Sequence, residues 1–284
     1  MADEVGQQDI WGTRFSEIVT GFAYEEFKLK QVVKVVSSSD WSEKFYRETS
    51  AELTGGLGSA VEGVPRLANF PHANPSWTLV TATQKKFGME SSISWEDVAT
   101  NQFDTISRVL LKVARAVASS VDLDIYQTLS AGAGNTTASS AAWAVTGASG
   151  APPEDILKAI RLIAEDGYDA HQKGFLLLNP LNYTSLLTHI FVKGAQAPAL
   201  GTTVLGNGRV GTILGLTIIV SNNVTADECM VVIGQECATW QSAAGLQVAT
   251  IVAPGIDYTV RAWEVGVLQL TNPNAVCTIT NTDT

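Results

Sequence analysis

The chain has 284 residues, of which 28 are acidic and 18 basic, giving a formal net charge of −10. That balance excludes a conventional, strongly basic reader of nucleic-acid sequence, while 45% hydrophobic residues are ample for a sizeable core. Only 16% of the residues are charged, against about 25% in a typical soluble domain, and after Lys193 the only cations are Arg209 and Arg261. A surface this poor in ions is expected to be covered in part by other subunits.

The acidic, polar N-terminus lacks the basic and then apolar pattern of a secretory leader. The longest apolar run, Val210 to Val220, is about half the ~20 residues that span a bilayer. A cytosolic origin and no membrane partner are therefore expected. Residues 1–44 read as an arm with one helical piece, Trp11 to Lys28, followed by a short strand around Val32, Val33, Val35 and Val36. From Phe45 to Ser94, Thr54-Gly55-Gly56-Leu57-Gly58 and then Pro65, Pro71 and Pro75 punctuate a long two-stranded excursion with little core content. An excursion of this length inside a compact domain points to function or to contact with a neighbour.

Ser94-Trp95-Glu96-Asp97 is a helix start, with Ser94 as N-cap and acids in the first turn. The helix is expected to run to about Ala131. At 100° per residue, Ile106, Leu110, Val113 and Val117 fall within about 60° of one another, and Arg108, Lys112 and Arg115 cluster opposite. Ala131 to Pro153 reads as a connector rich in small residues. Pro152-Pro153-Glu154-Asp155 opens a second helix expected to reach Ala170. Phe175 to Leu178 is a short buried strand, and Asn179-Pro180 restarts a helix to about Ile190. A loop over Lys193 to Gly208 precedes strands at Thr212–Val220, Cys229–Gly234, Leu246–Val252, Tyr258–Gln269 and Ala275–Thr280. Helices and strands are grouped rather than alternating, so the class is α+β and a doubly wound fold is disfavoured.

No constellation of catalytic or metal-ligating residues stands out. Gly206-Asn207-Gly208-Arg209-Val210-Gly211 has the spacing of a dinucleotide loop, but a strand and not a helix N-terminus follows it. His72, His171 and His189 are isolated, and Cys229, Cys237 and Cys277 form no Cys-x-x-Cys pair and read as buried free thiols. Glu165, Asp166 and Asp169, like Asp122 and Asp124, read as solvated acids, and no cofactor or metal is expected. The basic residues Arg108, Lys112 and Arg115, with Lys85 and Lys86 at the end of the excursion, are the candidate contacts for a polyanion or for an acidic neighbour.

Four stretches, in this order, resemble the major capsid protein family of tailed viruses, with its Hong Kong 97 shell fold. Lys85-Lys86-Phe87-Gly88-Met89-Glu90-Ser91-Ser92-Ile93-Ser94 is similar to the family's returning loop strand that leads into a long spine helix. Phe175-Leu176-Leu177-Leu178-Asn179-Pro180 resembles the strand and helix that precede its axial strands. The stretch from Gly211 to Val224, with Leu214-Gly215 and Ser221-Asn222 at its turns, is similar to the axial segment itself. Tyr258 to Leu270 resembles the late strand that returns to the peripheral domain.

The resemblance implies an α+β fold of five parts: an N-terminal arm (1–44), an extended β-hairpin loop (45–93), a peripheral domain with the spine helix (94–150), an axial domain of mixed sheet and helices (151–254), and return strands (255–284). It implies a non-enzymatic subunit that assembles in the host cytoplasm as pentamers and hexamers of an icosahedral head. That head encloses double-stranded DNA without sequence specificity. A separate scaffolding protein, a portal and a decoration protein are the further partners of such shells. An encapsulin-like protein compartment shares the fold and is the alternative; a soluble hydrolase built from dispersed acids or histidines is a more distant one.

Overall fold

The computed structural model describes residues 18–19, 27–47, 63–70, 78–100, 103–144, 151–194 and 211–283. Among them the elements follow in order: a 3-10 turn at Leu29–Gln31, then strands β1 (Lys34–Ser37), β2 (Ser42–Arg47), β3 (Thr78–Thr83) and β4 (Lys85–Ser94). Helices α1 (Trp95–Ala99) and α2 (Phe103–Gly132) lead to β5 (Asn135–Ala138), α3 (Pro152–Glu165), α4 (Ala170–Lys173), β6 (Gly174–Leu178) and α5 (Pro180–Gly194). The chain closes with β7 (Thr212–Ile213), β8 (Leu216–Val220), β9 (Glu228–Ile233), β10 (Ala238–Ala253), β11 (Asp257–Leu270) and β12 (Val276–Thr280).

The start of the helical run is the expected one: Ser94 Oγ accepts the backbone N–H of Asp97 at 3.1 Å. The single helix expected from Ser94 to Ala131 is nevertheless two. Thr100 follows the end of α1, its backbone N–H and its hydroxyl both donating to the carbonyl of Glu96 at 2.8 Å. Along α2, Leu110, Val113, Ala114, Val117, Ala118, Val121, Ile125 and Leu129 are all buried. Each Leu, Ile or Val on that stripe contributes on the order of 1.5–3 kcal/mol through burial. The stripe packs on β4 and β11, which sit in a four-stranded sheet of order β1-β10-β11-β4.

A second sheet has the order β5-β12-β9-β6-β8-β7. Its central strands are apolar on both faces: Cys229 to Ile233 of β9 and Val276 to Ile279 of β12 are buried, as strands covered on both sides must be. Helix α3 lies against β5 and β12, and α5 against β6. A separate two-stranded ribbon pairs β2 with β3 antiparallel, Ser42 opposite Thr83 and Arg47 opposite Thr78.

Several sequence expectations shift. The helix opened by Pro152 ends at Glu165 rather than Ala170, because Gly167 turns the chain at φ 90°. The expected strand Thr212–Val220 is a tight hairpin, with Leu214 and Gly215 both at positive φ (50° and 81°) between β7 and β8, the turn that matches strand twist. The connector 131–153 contains β5, which pairs parallel with β12. The late strand β10 begins eight residues before the expected Leu246. Because β10 lies in the sheet under α2, residues 238–253 run with the spine helix rather than with the remainder of 151–254, and β12 lies in the other sheet. Of the helix expected over Trp11–Lys28, only Ile18 and Val19 are described as helical; most of it, with Thr54 to Gly58, Pro71, His72, Pro75 and Gly206 to Val210, lies outside the described residues.

Candidate assembly surfaces

Arg108, Lys112 and Arg115 stand on the exposed side of α2, opposite the buried Leu110, Val113 and Val117. No acid occurs in the sequence from Thr105 to Val121, and Asp104, four residues before Arg108, is the one acid of the sequence at the i,i+4 spacing where helix pairs form with any of the three. Lys85 and Lys86 do not join it. Adjacent strand residues point to opposite faces: Lys85 donates to Asp124 of α2 at 2.5 Å, while Lys86 lies 5.8 Å from the ring centroid of Trp263 on the other face.

Asp122, expected to be solvated, is instead buried against the arm. Its Oδ2 accepts the backbone N–H groups of Lys28 (2.9 Å) and Leu29 (3.2 Å), and its Oδ1 accepts that of Lys30 (3.3 Å). A 3-10 turn leaves its first N–H groups without partners, and α2 supplies the acceptor across 92 to 94 residues of sequence. Burial raises the Asp122 pKa above the ordinary carboxylate value, and the three N–H bonds only partly oppose it. The sequence did carry a signal: at 100° per residue Asp122 falls on the apolar stripe of Ala118, Ile125 and Leu129. Asp124, likewise expected to be solvated, is the partner of Lys85.

The same arm segment is fastened to the sheet. Lys30 Nζ pairs with Glu264 of β11, a side chain with no solvent exposure, and Trp240 Nε1 donates to the same carboxylate at 3.2 Å. Lys30 also lies 4.5 Å from the Phe27 ring centroid. Gly266 permits this arrangement, since a Cβ there would come within 2.5 Å of the Trp240 ring. Phe27, Leu29, Val32 and Val33 are buried alongside.

Two further contacts tie the sheets and connectors together. Tyr126 of α2 donates to Glu228 of β9 at 2.5 Å, and burial with this carboxylate pushes the phenol up to about 12. Asp155, fully buried at the start of α3, accepts from Ser140 N (3.1 Å), Ser140 Oγ (2.7 Å), Trp143 Nε1 (3.2 Å) and Lys158 Nζ (3.0 Å). Asp166 accepts from Asn135 at 2.7 Å, and Asp169 caps α4.

Exposed apolar side chains concentrate in two places. Tyr46, Leu67, Phe70 and Leu79 belong to the excursion and its ribbon, and Trp41 immediately precedes β2, with Leu67 and Phe70 at least 80% exposed. Trp95, Ile251 and Ile256 cluster where the β10–β11 turn meets α1, joined by a bond from Trp95 N to Ile256 O at 3.1 Å. Grouped exposed apolar residues of this kind mark interaction surfaces.

Among the described residues, no group of three or more His, Cys, Asp or Glu side chains is placed to hold a metal, and no helix is long and apolar enough to cross a membrane. Cys229, Cys237 and Cys277 are buried free thiols, as the sequence indicates, and burial pushes Cys237 and Cys277 up to about 12.

The family described as "Phage capsid protein" matches residues 78–279. Solved structures share the fold at low identity. The capsid of cyanophage P-SCSP1u is 14% identical, with a TM-score of 0.66 over 92% of this chain and 88% of that chain. A virus-like particle from Pyrococcus furiosus is 10% identical, with a TM-score of 0.63 over 95% and 99%. The holo-SrpI encapsulin complex from Synechococcus elongatus is 11% identical, with a TM-score of 0.57 over 89% and 86%. None of the curated proteins compared matches the chain.

Proposed function

The chain belongs to the phage capsid protein family and is a major capsid protein with the Hong Kong 97 shell fold; on that premise we propose that its copies assemble as pentamers and hexamers of an icosahedral head enclosing double-stranded DNA. The observation that carries this reading is the distribution of apolar surface. An excursion that exposes Tyr46, Leu67, Phe70 and Leu79 is unfavourable for a solitary subunit and favourable in a shell, where a neighbouring copy covers it. The parts are the arm through residue 44, the loop 45–93, a peripheral part built on α2 and the four-stranded sheet, and an axial part built on the six-stranded sheet. The subunit acts by assembly rather than by catalysis, in the virion, after assembly in the host cytoplasm. Scaffold, portal and decoration proteins are the additional partners.

Arg108, Lys112 and Arg115 are the proposed polyanion contact, a line of fixed positive charge on an otherwise acidic subunit. Lys85 and Lys86 serve assembly by holding the base of the loop, through Asp124 and Trp263. The phage reading is preferred to an encapsulin-like compartment because the matching family is a phage one. Purified particles decide between them: nuclease-protected duplex DNA is expected, and particles filled with cargo protein and free of DNA would overturn the viral reading.

A further inference from the structure

The arm, α2 and the turn after β8 meet around a cavity of about 130 Å³, whose wall includes Lys28, Arg115, Ser119, Asp122, Asn222 and Asn223. Two cations far apart in sequence converge there, in a chain of net charge −10. Lys28 Nζ donates to the carbonyl of Val220 at 3.0 Å, which holds the ammonium beside the turn and leaves its other donors available. Arg115, from the exposed side of α2, adds a guanidinium, whose planar fork matches the oxygens of a phosphate.

Neutral polar groups complete the wall. Ser119 Oγ donates to Asn223 Oδ1 at 3.0 Å, and Asn223 Nδ2 donates to the Ser119 carbonyl at 3.1 Å, a clasp that fixes the turn against α2. The side-chain amide of the exposed Asn222 has no hydrogen-bond partner among the described residues. Asp122 is the one acid among the described lining residues, and its oxygens are engaged by the backbone N–H groups of Lys28, Leu29 and Lys30. Two cations against one acid leave the wall a formal charge of +1, the complement of one phosphodiester. The volume suits the same ligand: it admits a tetrahedral oxyanion with water, and falls below the about 300–1,000 Å³ of sites that enclose drug-sized molecules.

We propose that this cavity is a phosphate site, and that it takes a single phosphodiester group from the backbone of a nucleic acid lying along Arg108, Lys112 and Arg115. The nucleic-acid source rests on the polyanion reading of that basic line, which the site deepens; the site itself rests on the cavity and its wall. Because the wall comes from three segments, an occupied site also holds the arm against α2 and the turn. A ligand that binds only this closed arrangement stabilises it by mass action.

Hydrogen exchange over residues 27–33 of the full-length protein tests it, with inorganic phosphate and a short DNA duplex as probes and chloride at matched ionic strength as control. Phosphate at ten times its Kd is expected to slow exchange in this segment about tenfold, and chloride to leave it unchanged. Lys28→Gln and Arg115→Gln should each remove the phosphate effect at the same concentration. Arg108→Gln, which deletes the same charge outside the cavity, should keep it. All three side chains are exposed, so none of these changes opens the core. No slowing by phosphate, or an effect lost equally in Arg108→Gln, would overturn the site. The duplex should protect 27–33 in the wild type and not in Arg115→Gln. Protection by phosphate but not by the duplex would support the site and overturn its nucleic-acid source. Duplex binding that weakens in Arg108→Gln and Lys112→Gln without protecting 27–33 would overturn the site and leave the basic line as the polyanion contact.

Discussion

Replacing Asp122 with alanine leaves three backbone N–H groups, those of Lys28, Leu29 and Lys30, without their acceptor. A buried donor left unsatisfied costs about 1–3 kcal/mol. Three would cost several kcal/mol, offset by relief of the desolvation that already raises the Asp122 pKa and by water reaching the part-buried Lys28 and Lys30 amides. A net loss of about 2 kcal/mol is expected, roughly a 30-fold rise in the open population of this segment. The buried Phe27, Leu29, Val32 and Val33 keep the remainder folded. Hydrogen exchange read by mass spectrometry should therefore speed up over residues 27–33 and remain unchanged over β9 and β12. Unchanged exchange at 27–33 would refute the role given to this carboxylate, and faster exchange everywhere would show that the arm is not a separable unit.

The titration of Asp122 has a definite sign. Its folded pKa lies above its unfolded value, so the associated stability is present below the unfolded pKa and is lost as pH rises through the folded one. Thermal melts should show the wild type gaining on Asp122→Asn as pH falls from 7 toward 4, and a difference that moves the other way would contradict this. Lys30→Met strands the buried carboxylate of Glu264 and should destabilise by about 2–4 kcal/mol in denaturant titrations, while adding Glu264→Leu should recover most of the loss. Replacing residues 48–77 by a short turn should leave a folded subunit with a cooperative thermal melt that no longer sediments as particles. The three cysteines should resist a thiol reagent at pH 8 until denaturant is added, because burial pushes Cys237 and Cys277 up to about 12 and raises Cys229 well above the ordinary thiol value.

Periodicity made the largest elements legible. The apolar stripe of α2, the Ser94 cap of α1 and the strands of the C-terminal third follow from local pattern, since burial on one face leaves a period of 3.6 or 2. What escaped was determined by distant partners. Nothing in Asn-Thr-Thr-Ala marks β5 as a strand until β12 lies beside it, and the apolar run through Leu214-Gly215 conceals a turn that only its positive φ values reveal. The anchoring residues divide in the same way. Asp122 was detectable as an acid on an apolar stripe, but the pairing of Lys30 with Glu264 spans 234 residues and has no local signature. The basic line on α2 was visible in sequence, whereas the separation of Lys85 from Lys86 onto opposite faces required the sheet.

Electron microscopy of the purified full-length protein is the most direct test of the central claim that this chain builds a shell. Closed particles of uniform diameter, with density at their vertices and faces resolving into rings of five and six copies, are the predicted result. A population that remains monomeric across protein concentration, salt and crowding conditions would contradict it.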